Sequence, residues 1–366
     1  MDLYKIAASN LKGIGKQKLK QLCLRTNGIN ALFEEKLCSL EKKFNLKKEL
    51  LINMNISQAL TKARKQLDFN EKYGVQTLFM EDDHYPDLLK ECPDAPITLF
   101  YKGSVALNKK IISIVGTRRA TNYGKENVEK LIASLQGQDI IVISGLASGV
   151  DTFVHDCCVK HQIPTVGVLG HGLDTIYPRS NRNLAKKMLN NGGLLTEYGI
   201  GHKISKYCFP QRNRIIAGMS EVTIVIESPL KGGAIITAEI ANGYNREVMA
   251  IPGSIFSDSS KGCNALIKTQ KANLLENTDD LYRLMGWNNN SSEVRANINL
   301  TKQESVIVQL LKEENEIHFD TLVSKSDFSV SSLHSIVLKL ELKEIVQALP
   351  GSLFKLNHQT FSLDMA

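Results

Sequence analysis

The residues whose types and spacing best suit chemistry with an anion lie in the run Phe209-Pro210-Gln211-Arg212-Asn213-Arg214-Ile215-Ile216-Ala217-Gly218. A guanidinium group grips phosphate or carboxylate oxygens as a fork, and the amide between the two arginines adds a further donor. Pro210 suits a first helical turn, and Ile215, Ile216 and Met219 follow at helical spacing, so a helix is predicted to open here. A helix start carries free N–H groups and a partial positive charge, which makes phosphate the expected ligand and a phosphodiester the starting hypothesis. An isolated Arg-x-Arg is more often an ordinary surface pair, so its neighbourhood decides.

That neighbourhood is a set of loops leaving strand-like runs. Apolar runs of strand length recur at residues 111–115, 140–143, 165–169, 193–195, 222–226 and 247–251, and amphipathic stretches of helical length at 124–135, 149–161 and 235–244 lie between. Strands alternating with helices predict βαβ units and a parallel sheet, a Rossmann-like domain in which ligands bind beyond the carboxyl ends of the strands. The loops at those ends are Gly116-Thr117-Arg118-Arg119, Ser144-Gly145-Leu146-Ala147-Ser148-Gly149-Val150-Asp151, and Gly170-His171-Gly172-Leu173-Asp174, which runs on to Tyr177-Pro178-Arg179-Ser180-Asn181. Next come Thr196-Glu197-Tyr198 with the Phe209 run, then Lys231-Gly232-Gly233-Ala234-Ile235-Ile236-Thr237, and last Pro252-Gly253. Glycines admit a ligand close to the backbone, and Arg118, Arg179, Arg212 and Arg214 supply forks, so together they predict a track for a polyanion.

Several chemistries are disfavoured by the same loops. The first turn lacks Gly-x-Gly-x-x-Gly and the second strand ends in Ser144 rather than an acid, which argues against a nicotinamide cofactor; a Walker loop is missing as well. No Ser/His/Asp or Cys/His set assembles. Asp151 and His155, four apart at a helix start, are expected to be a capping carboxylate and a packed histidine rather than an acid–base pair. Asp174 and Glu197 are expected to hold loops or balance arginines. No catalytic residue, metal or cofactor is predicted. Seven scattered cysteines without a C-x-x-C pair indicate neither a disulfide framework nor zinc and are expected to be reduced packing residues.

At 366 residues, two or three domains are expected; 43% hydrophobic and 23% charged residues are globular values, and no stretch has the length and apolarity of a membrane span. The start of the sequence lacks an export signal, so a cytoplasmic protein is expected. The net charge is +7, and residues 1–70 hold 14 Lys/Arg against 6 Asp/Glu, an uneven excess that permits a nucleic-acid partner. Those first 70 residues have helical patterning. Leu11-Lys12-Gly13-Ile14-Gly15-Lys16 suits either a helix-hairpin-helix (SAM-like) turn approaching DNA phosphates or a simple turn between helices. Residues 77–80 and 97–101 read as edge elements of the sheet.

After a polar stretch at Asn288-Asn289-Asn290-Ser291-Ser292, a helix at 301–313 opens with a Thr301/Glu304 capping box and shows Val306, Leu310 and Leu311 on one face. Helices near 319–325 and at 331–342 follow, the second with Leu333, Val337, Leu338 and Leu340. A hairpin around Pro350-Gly351 completes a small winged-helix module. Its third helix carries only Lys339 and Lys343, so a protein-interaction or dimer-closing role fits it as well as DNA reading. The expected division is 1–70 helical, 71–287 extended Rossmann-like, 288–299 linker and 300–366 winged helix.

The motifs together resemble the DNA-processing protein A (DprA, also called Smf) family. The resemblance rests on Val115-Gly116-Thr117-Arg118, on Ser144-Gly145-Leu146-Ala147 with Gly149-Val150-Asp151 and His155, and on Gly172-Leu173-Asp174 with Tyr177-Pro178. It also rests on Thr196-Glu197-Tyr198, Phe209-Pro210 with Arg212 to Gly218, and Ile251-Pro252-Gly253, all in order over roughly residues 80–285. It implies a non-catalytic protein that binds and protects single-stranded DNA in natural transformation, helps load a RecA-type recombinase, works as a homodimer and needs neither metal nor nucleotide. By the same resemblance the strand-holding positions are Gly116, Thr117, Arg118, Gly145, Arg179, Asn181, Arg182, Phe209, Arg212, Asn213, Arg214, Lys231, Gly232, Gly233 and Thr237. In one departure, Gly232-Gly233-Ala234 stands where many members have Ser-Gly-Ser, so hydroxyl contacts do not carry over there. Two alternatives remain. One is a nucleotide phosphoribohydrolase, whose Gly-Gly-x-Gly-Thr-x-x-Glu loop Gly232-Gly233 with Thr237 and Glu239 imperfectly resembles. The other is an interaction scaffold acting through the winged helix.

Overall fold

A computed structural model describes residues 2–11, 13–14, 19, 30–34, 54–287, 300–314, 316–343 and 345–356 of the chain. The chain divides into two compact units, Met1–Asn290 and Ser291–Ala366.

In the first unit the strands are β1 (Gln76–Phe79), β2 (Thr98–Gly103), β3 (Lys110–Val115), β4 (Ile140–Ser144), β5 (Thr165–Leu169), β6 (Gly192–Thr196), β7 (Val222–Val225), β8 (Glu247–Ala250) and β9 (Asn273–Leu274). They form one sheet in the order β1-β2-β6-β5-β4-β3-β7-β8-β9. Pairing from β6 to β9 is parallel, and β2 and β1 add antiparallel to the β6 edge, which is the edge position the sequence predicts for them. The interior strands are buried along their length, Ile112 and Ile114 facing one side and Ile111 and Val115 the other. Continuous apolar runs are what a sheet covered on both faces requires. The covering helices include Asn122–Ser134, Val150–Lys160, Cys208–Met219 and Gly233–Gly243, each close to its predicted position.

The chain builds β3, β4, β5 and β6 outward in one direction and then returns to place β7 on the other side of β3. The order therefore reverses between β3 and β7, and at such a switch point the loops leaving neighbouring strands part and open a crevice.

The N-terminal segment packs on the β1–β2 edge. Helix Asp2–Ser9 buries Ile6 and Ala7 against Ala59 and Ala63 of helix Ile56–Tyr73, and Lys5 pairs with Asp82. Helix Ile56–Tyr73 also carries a buried amide relay. Gln66 Nε2 donates to Asn70 Oδ1 at 2.7 Å, Asn70 donates to Thr77 Oγ1 at 3.0 Å, and Gln66 Oε1 accepts the Ile200 N–H at 2.7 Å. Of the expected Leu11 to Lys16 turn, Lys12, Gly15 and Lys16 lie outside the described residues. The expected linker, 288–299, does so entirely.

The second unit has helices Lys302–Glu313, Phe319–Ser326 and Val330–Leu342, with β10 (Ile317–His318), β11 (Val346–Leu349) and β12 (Leu353–Leu356) in the order β10-β12-β11. The Thr301/Glu304 capping box forms, with the Thr301 N–H donating to Glu304 at 2.8 Å. Two predicted core positions are corrected. Val306 is 41% exposed and Leu338 is 57% exposed. The buried faces run Glu304, Ile307, Val308, Leu311 and Leu333, Ile336, Val337, Leu340, both at i, i+3, i+4, i+7, which leaves Val306 and Leu338 one residue off the core-facing stripe.

Candidate nucleic-acid interface

The switch point holds a cleft of about 340 Å³. Its walls are Val115, Gly116, Thr117 and Arg118 after β3, Ala147 and Asp151 after β4, Lys206, Phe209, Pro210, Arg212, Asn213 and Ile216 around helix Cys208–Met219, and Pro229, Gly232, Gly233, Ala234, Ile236 and Thr237 after β7. A smaller recess of about 60 Å³ adjoins it, lined by Gly145, Ser148, Gly170, His171, Tyr177 and Pro178 and sharing Arg118, Ala147, Phe209 and Arg212 with the cleft. Arg118 and Phe209 thus border both, with the guanidinium carbon of Arg118 5.6 Å from the ring centroid of Phe209.

Of the predicted positions, Gly116, Thr117, Arg118, Phe209, Arg212, Asn213, Gly232, Gly233 and Thr237 line the cleft and Gly145 lines the recess. The predicted helix start is corrected. The helix spans Cys208–Met219, so Pro210 sits in its first turn and Arg212 to Arg214 in its second. Proline is tolerated anywhere in the first turn because those N–H groups have no partner within the helix, so it does not fix which residue begins it.

The two arginines of the motif do different work. Arg212 is 4% exposed, and its Nη1 donates to the carbonyl oxygens of Gly145, at 2.6 Å, and Val168. A side chain on Gly145 would strike both Arg212 Nη2 and Asp151 Oδ2, so glycine there lets both groups lie close under the loop. Asp151 Oδ2 accepts from the N–H groups of Gly145 and Ala147 at 3.1 and 3.3 Å. Burial outweighs the attraction between the two groups: it brings Arg212 down to about 10, and it raises Asp151 even though Arg212 pulls the other way. Arg214 lines neither cavity. It is buried, donates to the Asp94 carbonyl at 2.6 Å and forms an ion pair with Glu197.

His155 is fully buried beneath the same loop, its Nδ1 2.8 Å from Thr165 Oγ1 and its Nε2 without a partner. Burial first, and then the Arg212 charge, lower its pKa to about 3. Asp151 ties the loop after β4, but the cap residue of its helix is Gly149 and the carboxylate bonds two loop N–H groups instead. Asp174 accepts from Gly201 N–H at 3.1 Å, which holds a loop as expected.

Asn181 is buried too, donating to the Leu146 carbonyl at 3.0 Å and to Thr152 Oγ1 at 2.7 Å, whereas Arg179 and Arg182 are exposed and line neither cavity. Lys231 is exposed on the loop beside Gly232 without lining the cleft. Gly232 is the cap residue of helix Gly233–Gly243, with no side-chain bond to its first N–H groups. A Cβ on Gly232 would clash with Ser228 Oγ, while one on Gly233 would meet nothing within 4 Å. Glu239 lies outside the cleft and pairs with Lys271 at 3.3 Å.

Two residues escaped the sequence reading. Lys206, exposed on the loop before the helix, lines the cleft, and no local spacing in the sequence marks it. Glu227, 1% exposed, is the organiser of the β3 and β7 loops. Its carboxylate accepts from Thr121 N–H at 3.0 Å, Thr121 Oγ1 at 2.6 Å and Ser259 Oγ at 3.1 Å, and its carbonyl accepts from Thr117 N–H at 2.7 Å. A lone acid ending a buried apolar strand was its signal. Among the described residues no cluster of His, Cys, Asp and Glu could hold a metal ion, no helix is long and apolar enough to cross a membrane, and the described cysteines are buried thiols.

Comparison with known proteins gives a consistent result. Residues 76–286 match the family model described as DNA recombination-mediator protein A, and residues 291–352 match the DprA winged helix domain. A DNA processing protein DprA of Streptococcus pneumoniae is 43% identical over 188 residues, 51% of this chain and 66% of that protein. One from Bacillus subtilis is 38% identical over 237 residues, 64% of this chain and 80% of that protein. Among solved structures, DNA processing protein A of S. pneumoniae superposes with a TM-score of 0.64 at 33% identity, covering 78% of this chain and 96% of that one. The Helicobacter pylori protein, whose structure describes a single-stranded DNA binding mode, gives 0.53 at 26% identity over 59% of this chain and 98% of its own.

Proposed function

The chain belongs to the DNA recombination-mediator protein A family, and from that premise we propose that it binds single-stranded DNA along the cleft at the β3–β7 switch point and delivers it for recombination. The observation that carries this reading is the make-up of the cleft. Exposed Arg118 and Lys206 face the uncapped start of helix Gly233–Gly243 across a floor of glycines, while Asp151, the one acid in the lining, is turned into the protein by two loop N–H groups. Cations and free N–H groups over glycine backbone bind phosphate without selecting a base. The single-strand binding described for the H. pylori relative supports the same ligand.

The role is binding rather than catalysis. Asp151, the one acid in the cleft lining, is tied to two loop N–H groups, and His155 is fully buried beneath the same loop and lines neither cavity. Handing the strand to a RecA-type recombinase, acting as a homodimer, and serving natural transformation in the cytoplasm complete the proposal, as does the division into a helical segment at 1–70, the sheet domain at 71–287, a linker at 288–299 and the winged helix at 300–366. Arg179 and Arg182, exposed beside the recess, and Lys231 extend the basic track on either side.

A salt titration of the purified protein on a labelled single-stranded oligonucleotide and on its duplex tests the reading. Tighter binding to the single strand, with log affinity falling about 0.7 per phosphate contacted against log salt, is the expected result. Equal or tighter duplex binding overturns it.

A further inference from the structure

The ends of the strands away from the cleft border a second cavity, of about 360 Å³. Its walls include Lys110 at the start of β3, Gln138 and Asp139 just before β4, and Tyr282 and Trp287 in and after helix Thr278–Met285. Three of these side chains can donate hydrogen bonds that nothing among the described residues accepts. Tyr282 is 6% exposed, and its hydroxyl has no partner. The Lys110 ammonium lies over the Trp287 ring, 5.0 Å from its centroid, without an ion pair, and the Gln138 side chain makes no hydrogen bond. The acids close by are engaged: Asp139 pairs with Lys109 at 2.7 Å, and Glu221 accepts from the Trp287 side chain. Burial raises the Tyr282 pKa, which keeps the proton on the phenol and makes it a donor. A buried hydroxyl without an acceptor costs stability, so tyrosine rather than phenylalanine at 282 calls for an acceptor from outside the chain.

We infer that this cavity binds a small monocarboxylate, whose oxygens accept from Lys110, Tyr282 and Gln138 and whose hydrocarbon part lies against Trp287. One unpaired ammonium balances one negative charge. A phosphate dianion would meet that single cation with Asp139 and Glu221 close by, and a cationic ligand would face Lys110 itself. A neutral ligand would leave the ammonium without a counter-charge. The volume is that of a small-molecule pocket, and an apolar wall with a few convergent donors is the usual make-up of one. Strand β3 runs from this cavity at Lys110 to the polyanion cleft at Val115, a span of about 17 Å. The carboxylate site therefore stands apart from the cleft and rests on nothing proposed for it.

Trp287 is the only tryptophan in the chain, so its fluorescence reports on the cavity directly. The full chain is titrated with sodium acetate, propionate and butyrate and, at matched ionic strength, with sodium chloride and inorganic phosphate. A saturable change in tryptophan emission is expected with at least one carboxylate and with neither chloride nor phosphate. Lys110→Met is expected to raise the midpoint of that titration about tenfold or more, and Tyr282→Phe about three- to tenfold. Without ligand, Tyr282→Phe unfolds in urea at the wild-type midpoint or above it, because the hydroxyl it removes has no bond to lose. Three results overturn the assignment: no saturable response to any of the carboxylates, a response to phosphate at equal or lower concentration, or wild-type midpoints in both variants. A lowered urea midpoint in Tyr282→Phe would show that the hydroxyl is bonded within the fold, and overturns it as well.

Discussion

The cleft between β3 and β7 and the outer face of helix Val330–Leu342 are both open to solvent, and they offer opposite chemistry. The cleft offers Arg118, Lys206 and an uncapped helix start. The helix, which occupies the place a winged-helix protein commonly uses to read DNA, exposes Val330 at 54%, Leu338 at 57% and Leu342 at 78%. One of its two lysine neighbours, Lys343, is spent on Glu304 at 2.7 Å. The difference supports the proposal that the polyanion surface of this chain lies on its sheet, and it teaches that the name of the second unit's fold carries no function by itself. The apolar stripe suits contact with protein.

Four measurements break or sharpen that contrast. The largest effect belongs to Arg212→Met, which strands Asp151 without its counter-charge and removes the donor from two carbonyls. Urea unfolding is expected to show a loss of about 3–5 kcal/mol, and a change below 1 kcal/mol would mean the cleft floor does not depend on that charge. Arg118→Ala touches the ligand and not the fold: single-strand affinity drops by about 1.5–3 kcal/mol, the salt slope falls by about 0.7, and the unfolding midpoint stays put. An unchanged affinity would remove Arg118 from the track.

The third is a pH effect. His155 has a folded pKa of about 3, below its unfolded value of 6.5, so the unfolded chain binds the extra proton between those limits. The stability that neutral His155 contributes is complete above pH 6.5 and is lost as pH falls toward 3, at about 1.4 kcal/mol per pH unit. In His155→Gln that part of the slope disappears; parallel stability–pH curves for the two proteins would contradict the assigned burial. The smallest effect is expected for Leu338→Ser with Leu342→Ser: stability within about 0.5 kcal/mol and single-strand affinity within twofold. A larger fall in affinity would put DNA on the helix and erase the contrast.

How much of this the sequence discloses depends on the kind of signal. Strands buried on both faces announce themselves as runs such as Ile111 to Val115, and caps such as Thr301/Glu304 are local chemistry, so both appear where expected. The carboxyl-edge loops follow from the strand alternation. What a one-dimensional pattern lacks is direction. Arg212, Asn213 and Arg214 are consecutive, and on a helix consecutive residues point about 100° apart, so one lies beneath the cleft, one at its rim and one away from it toward Glu197. Asn181 looks like a ligand donor in the sequence and is a buried tie in the fold. Lys206 was legible only once the helix start was placed at Cys208. Glu227 organises two loops far apart in the chain, which no local spacing encodes.

The amide relay through Gln66 bears on where this protein can be cut. Similarity to the family begins at residue 76, and that boundary suggests a self-sufficient sheet domain from there onward. Yet Gln66 Oε1 is the acceptor for Ile200 N–H, at the root of the loop that carries Lys206 to the cleft. A fragment trimmed to the region of similarity keeps every strand and loses that tether. Helix Ile56–Tyr73 is thus the far anchor of the loop that ends at Lys206, and a cut at residue 76 removes a hydrogen bond from the root of that loop.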